Sequence, residues 1–421
     1  MVVRFYHPDL LHPEPTGLRP VPHAIVSGSM ARILFLTERH APDLGGVSAS
    51  ATRIARTLAA LGAEVDVVAW TRSLEAGKVV PEGGNPAVYR MGRFREWDTT
   101  MPHTLNLLDW LISTAPYHLV WGHYLSLAGF LAVWFGRLNG VPSVVSIRGN
   151  DLDRDVFPPG DFSRLRWTLA HATGITAVTL DLARKARALA GREDVVHLRN
   201  VVDTALFFPS LEAGRNVRVR LGIGPEEAVM GFCGELREKK GLAHLMEALA
   251  AVRRVRPARL LLIGEVRPSE RPRLLQWVGP GGIEEREVLI TGQLSSPAEV
   301  NAHLQACDLY LQPSLWDGMP NALLEAMAAG CGCIASDAGG IPEIITPGVD
   351  GIIVPRWQLH RLGEAALEWL DALPEHRERV RQAARARMIA GFSLAAEREA
   401  LRALVASVTV RGFPRPTHQN V

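Results

Sequence analysis

The chain has 421 residues, 47% hydrophobic and 21% charged, the composition of a globular protein with room for two hydrophobic cores. Its 46 basic and 44 acidic residues leave a formal charge of +2 and are scattered rather than run together, which argues against nucleic acid as a partner. The cysteines, Cys233, Cys307, Cys331 and Cys333, are too few and too embedded in apolar segments for a disulfide framework; they point to a reducing cytoplasm, and Cys331-Gly-Cys333 lacks the spacer and second pair of a metal site.

Residues 1–29 carry five prolines and no apolar run long enough for a signal-peptide core, so a disordered extension is expected before the strand that begins abruptly after Met30. Ile33 to Leu36 reads as a buried strand. After a loop containing Gly45-Gly46, apolar Val47, Ala51, Ile54, Leu58 and Leu61 recur at helical spacing up to Gly62, and Val65 to Trp70 is the next strand. This βαβ unit continues into strands at Leu119 to Trp121, Val144 to Ile147, Gly174 to Val178 and Val195 to Leu198, which implies a parallel, doubly wound sheet with ligands beyond the carboxyl ends of its strands. The most apolar region, Leu119 to Phe135, is broken by Gly122, His123 and Ser126, so it is expected as strand and helix rather than a membrane span.

A polar segment at 209–227 divides a first domain, 30–208, from a second, 209–392, of the same class. The second is expected to hold strands at Ala228 to Cys233, Leu260 to Ile263, Val288 to Thr291, Leu309 to Gln312, Cys333 to Ser336 and Gly351 to Val354, with a helix from Leu242 to Val252. A disordered tail is expected at 411–421. The expected fold is α/β, two Rossmann-like doubly wound parallel-sheet domains facing each other across a cleft.

Candidate chemistry sits where strands end. Gly45-Gly46 lets a backbone approach a ligand closely, but it lacks the GxGxxG spacing, and Gly222-Ile-Gly224 precedes a strand instead of following one, which disfavours a dinucleotide. In GFCGELREKKG, Arg237 and Lys240 could neutralise a diphosphate; lysine occurs only at 78, 185, 239 and 240, so an adjacent pair stands out from a chain that otherwise uses arginine. A solvated charged loop is the bland alternative. His123, and then Arg148, Asn150 and Asp151, follow first-domain strands, where active sites in such sheets collect. Asp151-Leu-Asp153 is formally a DxD motif, but nothing else suggests a divalent cation site.

The stretch PSLWDGMPNALLEAMAAG, 313–330, joins an acidic loop residue, Asp317, to a helix starting near Met319 and Pro320, whose free N–H groups around Asn321 and Ala322 form an anion site. Asp317 and Glu325 are eight residues apart, about 80° out of phase if both were helical. With the helix starting near Pro320, Asp317 precedes it and Glu325 lies in its second turn, so both can touch one extended ligand. Gly339-Gly340 and Glu343 follow the strand Cys333 to Ser336.

These residues resemble the retaining, nucleotide-sugar-dependent glycosyltransferases of the GT4 type with the GT-B fold, from Met30 to Ser407. The 313–330 stretch is similar to that family's Glu-x7-Glu motif, GELREKKG to its GRLxxxKG loop, and HLRNVVDTALFFP to its NGVDxxxFxP segment; Phe392-Ser393 marks the approach to a last helix, implied by the resemblance at 393–410, that crosses back to the first domain. Three positions depart from the pattern: Asp317 for Glu, Glu235 where a diphosphate-binding Arg is expected, and Val201 for Gly. The resemblance implies that Glu325 holds the ribose, that Asp317 contacts the donor sugar and that Lys240 binds the diphosphate, with Arg237 as the replacement cation. The donor side would comprise Gly45, Gly46, Arg237, Lys240, Asp317, Met319, Pro320, Asn321, Ala322 and Glu325, the catalytic residues would be His123, Asp317 and Lys240, and Arg148, Asn150 and Asp151 would face the acceptor or sugar. No metal or cofactor is implied; the partners are a nucleotide-diphosphate sugar and a hydroxyl-bearing acceptor (a sugar, glycolipid or small molecule), with a peripheral membrane contact left open. An NDP-sugar 2-epimerase of the same fold and a catalytically silent, sugar-nucleotide-binding partner subunit remain as alternatives.

Overall fold

The computed structural model describes residues 31–411, apart from 44, 155, 279–282 and 295; the expectations for the extension 1–29 and for the tail after 411 lie outside the described residues. The first sheet holds β1 Arg32–Thr37, β2 Glu64–Thr71, β3 Val79–Glu82, β4 Ala87–Gly92, β5 Leu119–His123, β6 Ser143–Ile147, β7 Gly174–Ala177 and β8 Val195–His197, in the order β3-β4-β2-β1-β5-β6-β7-β8. The second holds β9 Ala228–Cys233, β10 Ala258–Ile263, β11 Val288–Ile290, β12 Leu309–Gln312, β13 Cys333–Ser336 and β14 Ile352–Val354, in the order β11-β10-β9-β12-β13-β14. Every pairing is parallel except β3 with β4. The strand order reverses beside β1 in one sheet and beside β9 in the other, which opens a crevice at the carboxyl ends of each.

The central strands read clearly because helices cover both faces and the pattern becomes a continuous apolar run, as in β1, where only Arg32 escapes burial. Phe35 and Trp121 stack with centroids 6.0 Å apart beneath helix Gly46–Ala60, which buries Ala51, Ile54, Ala55 and Leu58. Two features differ from expectation. The edge pair β3 and β4 was not anticipated: β3 carries Pro81 and exposed Glu82, and β4 is interrupted by Arg90, so neither shows a clean apolar period. The polar segment contains helix Leu211–Arg220, capped where Ser210 Oγ accepts the Ala213 N–H at 3.4 Å. It packs through the missing side chain of Gly214, where a Cβ would lie 2.3 Å from the Gln305 carbonyl oxygen; close approach by a glycine leaves little hydrophobic period to detect.

Helix Leu394–Arg411 follows Phe392-Ser393 and returns to the first sheet, where Leu401, Leu404 and Val408 join the core of Ile33, Phe35 and Trp121. Burying these side chains is worth about 1.5–3 kcal/mol each, enough to hold the helix there. The link between the sheets runs beside it: Val202 donates its N–H to the Phe392 carbonyl at 2.8 Å. No helix among the described residues is long and apolar enough to cross a membrane.

Candidate active site

The second-domain half is built at the crevice beside β9. Helix Asn321–Ala328 starts after Pro320, which is its N-cap rather than part of its first turn, with no side-chain cap and no acid in the first turn. Its free N–H groups therefore carry a partial positive charge with nothing internal to meet it. The Asn321 Oδ1 is buried there without a partner. Glu325, one turn further on, is half-buried and accepts no hydrogen bond from the described residues; burial pushes its carboxyl up to about 7. Lys240 ends the turn Glu238–Lys240 that follows β9, and its Nζ pairs with Asp317 Oδ2. Asp317 is further held by the Gly318 N–H, which donates to Oδ1 at 3.0 Å, and by the Ser314 hydroxyl at 3.4 Å.

Arg237 does not supply the free cation expected of it. Glu235 lies between Arg237 and Arg267, pairing with the first and lying 3.0 Å from the second, so a local salt bridge absorbs the Arg237 charge. Lys239 makes no ion pair among the described residues, and burial lowers its pKa. It is the unpaired cation of this loop among the described residues, and the scarcity of lysine marks it as much as Lys240.

The first-domain half stands on helix Gly46–Ala60 and on the turns after β5 and β6. Gly45 and Gly46 are exposed at the helix start, which has no side-chain cap, and a Cβ at either would meet nothing within 4 Å. His123 is not the open catalytic side chain expected. It is fully buried, stacked on Phe35 at 5.7 Å and bonded through Nε2 to Ser50 Oγ at 2.9 Å. The Ser50 hydroxyl donates to the Val47 carbonyl, which places the ring proton on Nε2 and leaves Nδ1 as a buried acceptor without a partner. Burial, then the charges of Arg148 and Arg53, hold this imidazole neutral.

Asp151 is likewise withdrawn from the acceptor side. It is completely buried and accepts the N–H groups of Leu125 at 2.9 Å, Arg148 at 3.0 Å and Gly149 at 2.7 Å, so it pins the turns after β5 and β6 together; burial outweighs these bonds and raises its pKa to about 6. Asp153 of the formal DxD pairs with Lys185 at 2.6 Å, and among the described residues no three His, Cys, Asp or Glu gather to hold a metal ion. Asn150 is exposed, and Arg148 is half-buried.

The halves meet through backbone. A Cβ on Gly318 would lie 2.7 Å from the Arg148 carbonyl oxygen, so this glycine lets the loop of Asp317 press against the turn after β6, and one on Gly340, after β13, would lie 2.6 Å from Thr179, which follows β7. Asn200 joins the two sides: its Nδ2 donates to the Met319 carbonyl at 2.7 Å, its N–H meets Met319 Sδ at 3.3 Å, and its Oδ1 accepts from Arg148 and Arg53. The carbonyl oxygen and sulfur of Met319, a residue expected on the donor side, are thus used internally. Asn200 lies in the segment HLRNVVDTALFFP, where its residue type alone gives no sign of this joining role.

Residues 45–200 match the family model "Glycosyl transferase 4-like domain", and residues 227–372 match "Glycosyl transferases group 1", which together span most of the chain and both halves of the crevice. The chain belongs to the GT4-type group 1 glycosyltransferases. Among the relatives of this glycosyltransferase, it is 28% identical over 282 residues to alpha-D-kanosaminyltransferase of Streptomyces kanamyceticus, covering 64% of this chain and 71% of that protein. It is 27% identical over 349 residues to alpha-maltose-1-phosphate synthase of Mycolicibacterium smegmatis, covering 77% and 84%. Its fold is similar to that of Anabaena Alr3699/HepE, solved in complex with UDP and glucose, with a TM-score of 0.74 at 18% identity over 90% of this chain and 100% of that one. The glycosyltransferase thus has the GT-B architecture of two facing parallel-sheet α/β domains.

Proposed function

We propose that this glycosyltransferase moves a sugar from a nucleotide-diphosphate donor to a hydroxyl acceptor, with retention of anomeric configuration, in the cytoplasm and without a metal ion. The observation that carries the donor assignment is the crevice beside β9, where an uncapped helix carries Glu325, a carboxylate with no hydrogen-bond partner among the described residues, and the Lys239-Lys240 pair reaches the loop before that helix through the Lys240–Asp317 ion pair. N–H dipoles and lysines match a diphosphate, and a bare carboxylate matches the paired hydroxyls of a ribose. The bound UDP and glucose of HepE support the same class of donor here.

Transfer needs the diphosphate to leave as an anion. Lys239, Lys240 and the amides at Asn321 and Ala322 are fixed where that charge grows, so electrostatic preorganisation supplies most of the rate enhancement. Asp317, once released from Lys240, accepts a hydroxyl of the sugar and orients it. His123 supports this wall; reaching its unpartnered Nδ1 requires the wall to move. The retained configuration follows from the resemblance to the family, through attack on the same face in an ion-pair-like step.

Purified protein incubated with UDP-, GDP- and ADP-sugars and a panel of hydroxyl acceptors tests the proposal, with nucleotide release and the product anomer read by NMR. Acceptor-dependent transfer with the anomeric configuration of the donor is expected. Isomerisation of the donor without acceptor would make the protein an epimerase, and binding without turnover would make it a silent subunit; either overturns the reading.

A further inference from the structure

Among the described residues each half of the crevice keeps one cation outside the ion pairs, Lys239 on the donor side and Arg148 on the first-domain side. On the donor side, Lys240 faces Asp317, and Glu235 lies between Arg237 and Arg267. On the first-domain side, Arg53 is neutralised by Glu397, with Nε at 2.9 and 3.1 Å from the two carboxylate oxygens. Arg148 has no such partner. Among the described residues its guanidinium makes one hydrogen bond, to the Asn200 amide oxygen, and it shares that oxygen with Arg53 at 3.3 Å. The carboxylate next to it in sequence, Asp151, is spent on backbone N–H groups, including that of Arg148 itself.

The acids nearest Arg148 are both committed elsewhere, Glu397 to Arg53 and Asp151 to backbone N–H groups, and act on it only at a distance. Helix Gly46–Ala60, which carries Arg53, has no acid in its first turn and no side-chain cap. His123, bonded to Ser50 of the same helix, is held neutral. Burial, then the neighbouring Arg53, lower the pKa of Arg148 to about 10 against the opposing charges of Glu397 and Asp151, the direction expected of a desolvated cation without a directly bonded carboxylate. None of its remaining N–H groups is both fully buried and unpartnered among the described residues, so they keep contact with solvent. A guanidinium fork with free donors, partly removed from water and beside a second guanidinium, is suited to bidentate binding of a phosphate or carboxylate.

Two anions could fill that place: the donor diphosphate, or a charged group of the acceptor. The diphosphate already has Lys239, Lys240 and a helix N-terminus on the opposite side of the crevice. We propose that Arg148 recognises an anionic group of the acceptor, so that the hydroxyl receiving the sugar belongs to a phosphorylated or carboxylated molecule. This rests on the glycosyltransferase reading above and narrows its acceptor class.

The test uses the full chain saturated with whichever of UDP, GDP or ADP binds. Inorganic phosphate and glucose 1-phosphate are titrated against glucose and potassium chloride at matched ionic strength, by calorimetry and thermal shift, for wild type, Arg148→Gln and Arg148→Lys. In wild type the phosphate ligands are expected to bind at least tenfold more tightly than glucose and to stabilise beyond chloride. Arg148→Gln should abolish that difference while changing nucleotide affinity less than threefold. Arg148→Lys, which keeps the charge and loses the fork, should retain part of it, and it serves as the readout if the Gln variant does not fold. Equal effects of phosphate and chloride on wild type, or no preference for glucose 1-phosphate over glucose, overturn the proposal. A tenfold loss of nucleotide affinity in Arg148→Gln also overturns it, because the guanidinium would then serve the donor. Absence of binding by all three nucleotides in wild type would instead strike the glycosyltransferase donor reading.

Discussion

Replacing Asp317 with Asn should tighten the binding of the nucleotide diphosphate while impairing sugar transfer. In the unliganded protein Lys240 Nζ is paired with Asp317 Oδ2, and the side chains are 21% and 14% exposed. A diphosphate that takes Lys240 must first break this pair. Unit charges about 4 Å apart attract by about 4 kcal/mol at an effective dielectric constant of 20, and partial solvation of both groups reduces the net to about 1–2 kcal/mol. Since about 1.4 kcal/mol is tenfold in affinity, Asp317→Asn should bind UDP, GDP or ADP roughly tenfold more tightly. The Asn oxygen can still accept the Gly318 N–H, so the loop keeps its shape. The charged acceptor for a sugar hydroxyl is lost, worth about 1.5–3 kcal/mol, so transfer should fall by about ten- to a hundredfold. Calorimetric titration of the nucleotide and steady-state transfer with the sugar donor read the two effects separately. In a double-mutant cycle with Lys240→Ala the tightening should vanish. Weaker or unchanged nucleotide binding by Asp317→Asn would refute the ion-pair exchange.

Glu325→Gln tests the ribose carboxylate. The folded-state pKa of Glu325 is raised to about 7, so its proton favours the folded state at low pH, and that stability is lost as pH rises through about 7. The Gln variant should therefore flatten the loss of stability of the unliganded protein between about pH 4.5 and 7, read by denaturant midpoints at several pH values. Hydroxyl donors from a ribose favour the ionised form, so nucleotide binding near pH 6.5 should release protons in wild type and fewer in the variant, measured by calorimetry in buffers of different ionisation enthalpy. Asp151→Ala strands the amides of Leu125, Arg148 and Gly149 and should cost about 3 kcal/mol of stability, seen as a lower urea midpoint. An unchanged midpoint would remove its pinning role. Gly339 has φ of 53°, and a Cβ there would lie 1.7 Å from the Asp317 carbonyl oxygen. Gly339→Ala should therefore displace the Asp317 loop, lowering transfer more than nucleotide binding in the same pair of assays. Combined Lys239→Ala and Lys240→Ala should weaken nucleotide binding more than either alone, because separate cations would then meet the diphosphate; additivity in the binding free energies checks this.

The sequence by itself determined the alternation of strands and helices, because a strand covered on both faces must be an unbroken apolar run. Leu309 to Gln312 and Cys333 to Ser336 were legible on that ground to the residue. It also placed the chemistry at strand ends, since polar and glycine residues following an apolar run in a parallel sheet have few other places to lie. What failed locally was the half-exposed edge, β3 and β4, and a helix that packs through Gly214, where burial leaves little or no period.

Only the tertiary structure decided which charges are available. Asp317 neutralises Lys240 from 77 residues away, Glu235 takes up Arg237 from two, and Glu397 serves Arg53 from 344. Residue type alone cannot distinguish a carboxylate left without a hydrogen-bond partner among the described residues, Glu325, from one already committed to backbone, Asp151. Nor can it show that Arg148, like Lys239, makes no ion pair among the described residues, or that Asn200 ties it to the loop before helix Asn321–Ala328. The physical reason is range. Hydrophobic periodicity is written in neighbouring residues, whereas electrostatic neutralisation depends on distances of a few ångströms between atoms that the chain brings together only when both sheets have formed and face each other.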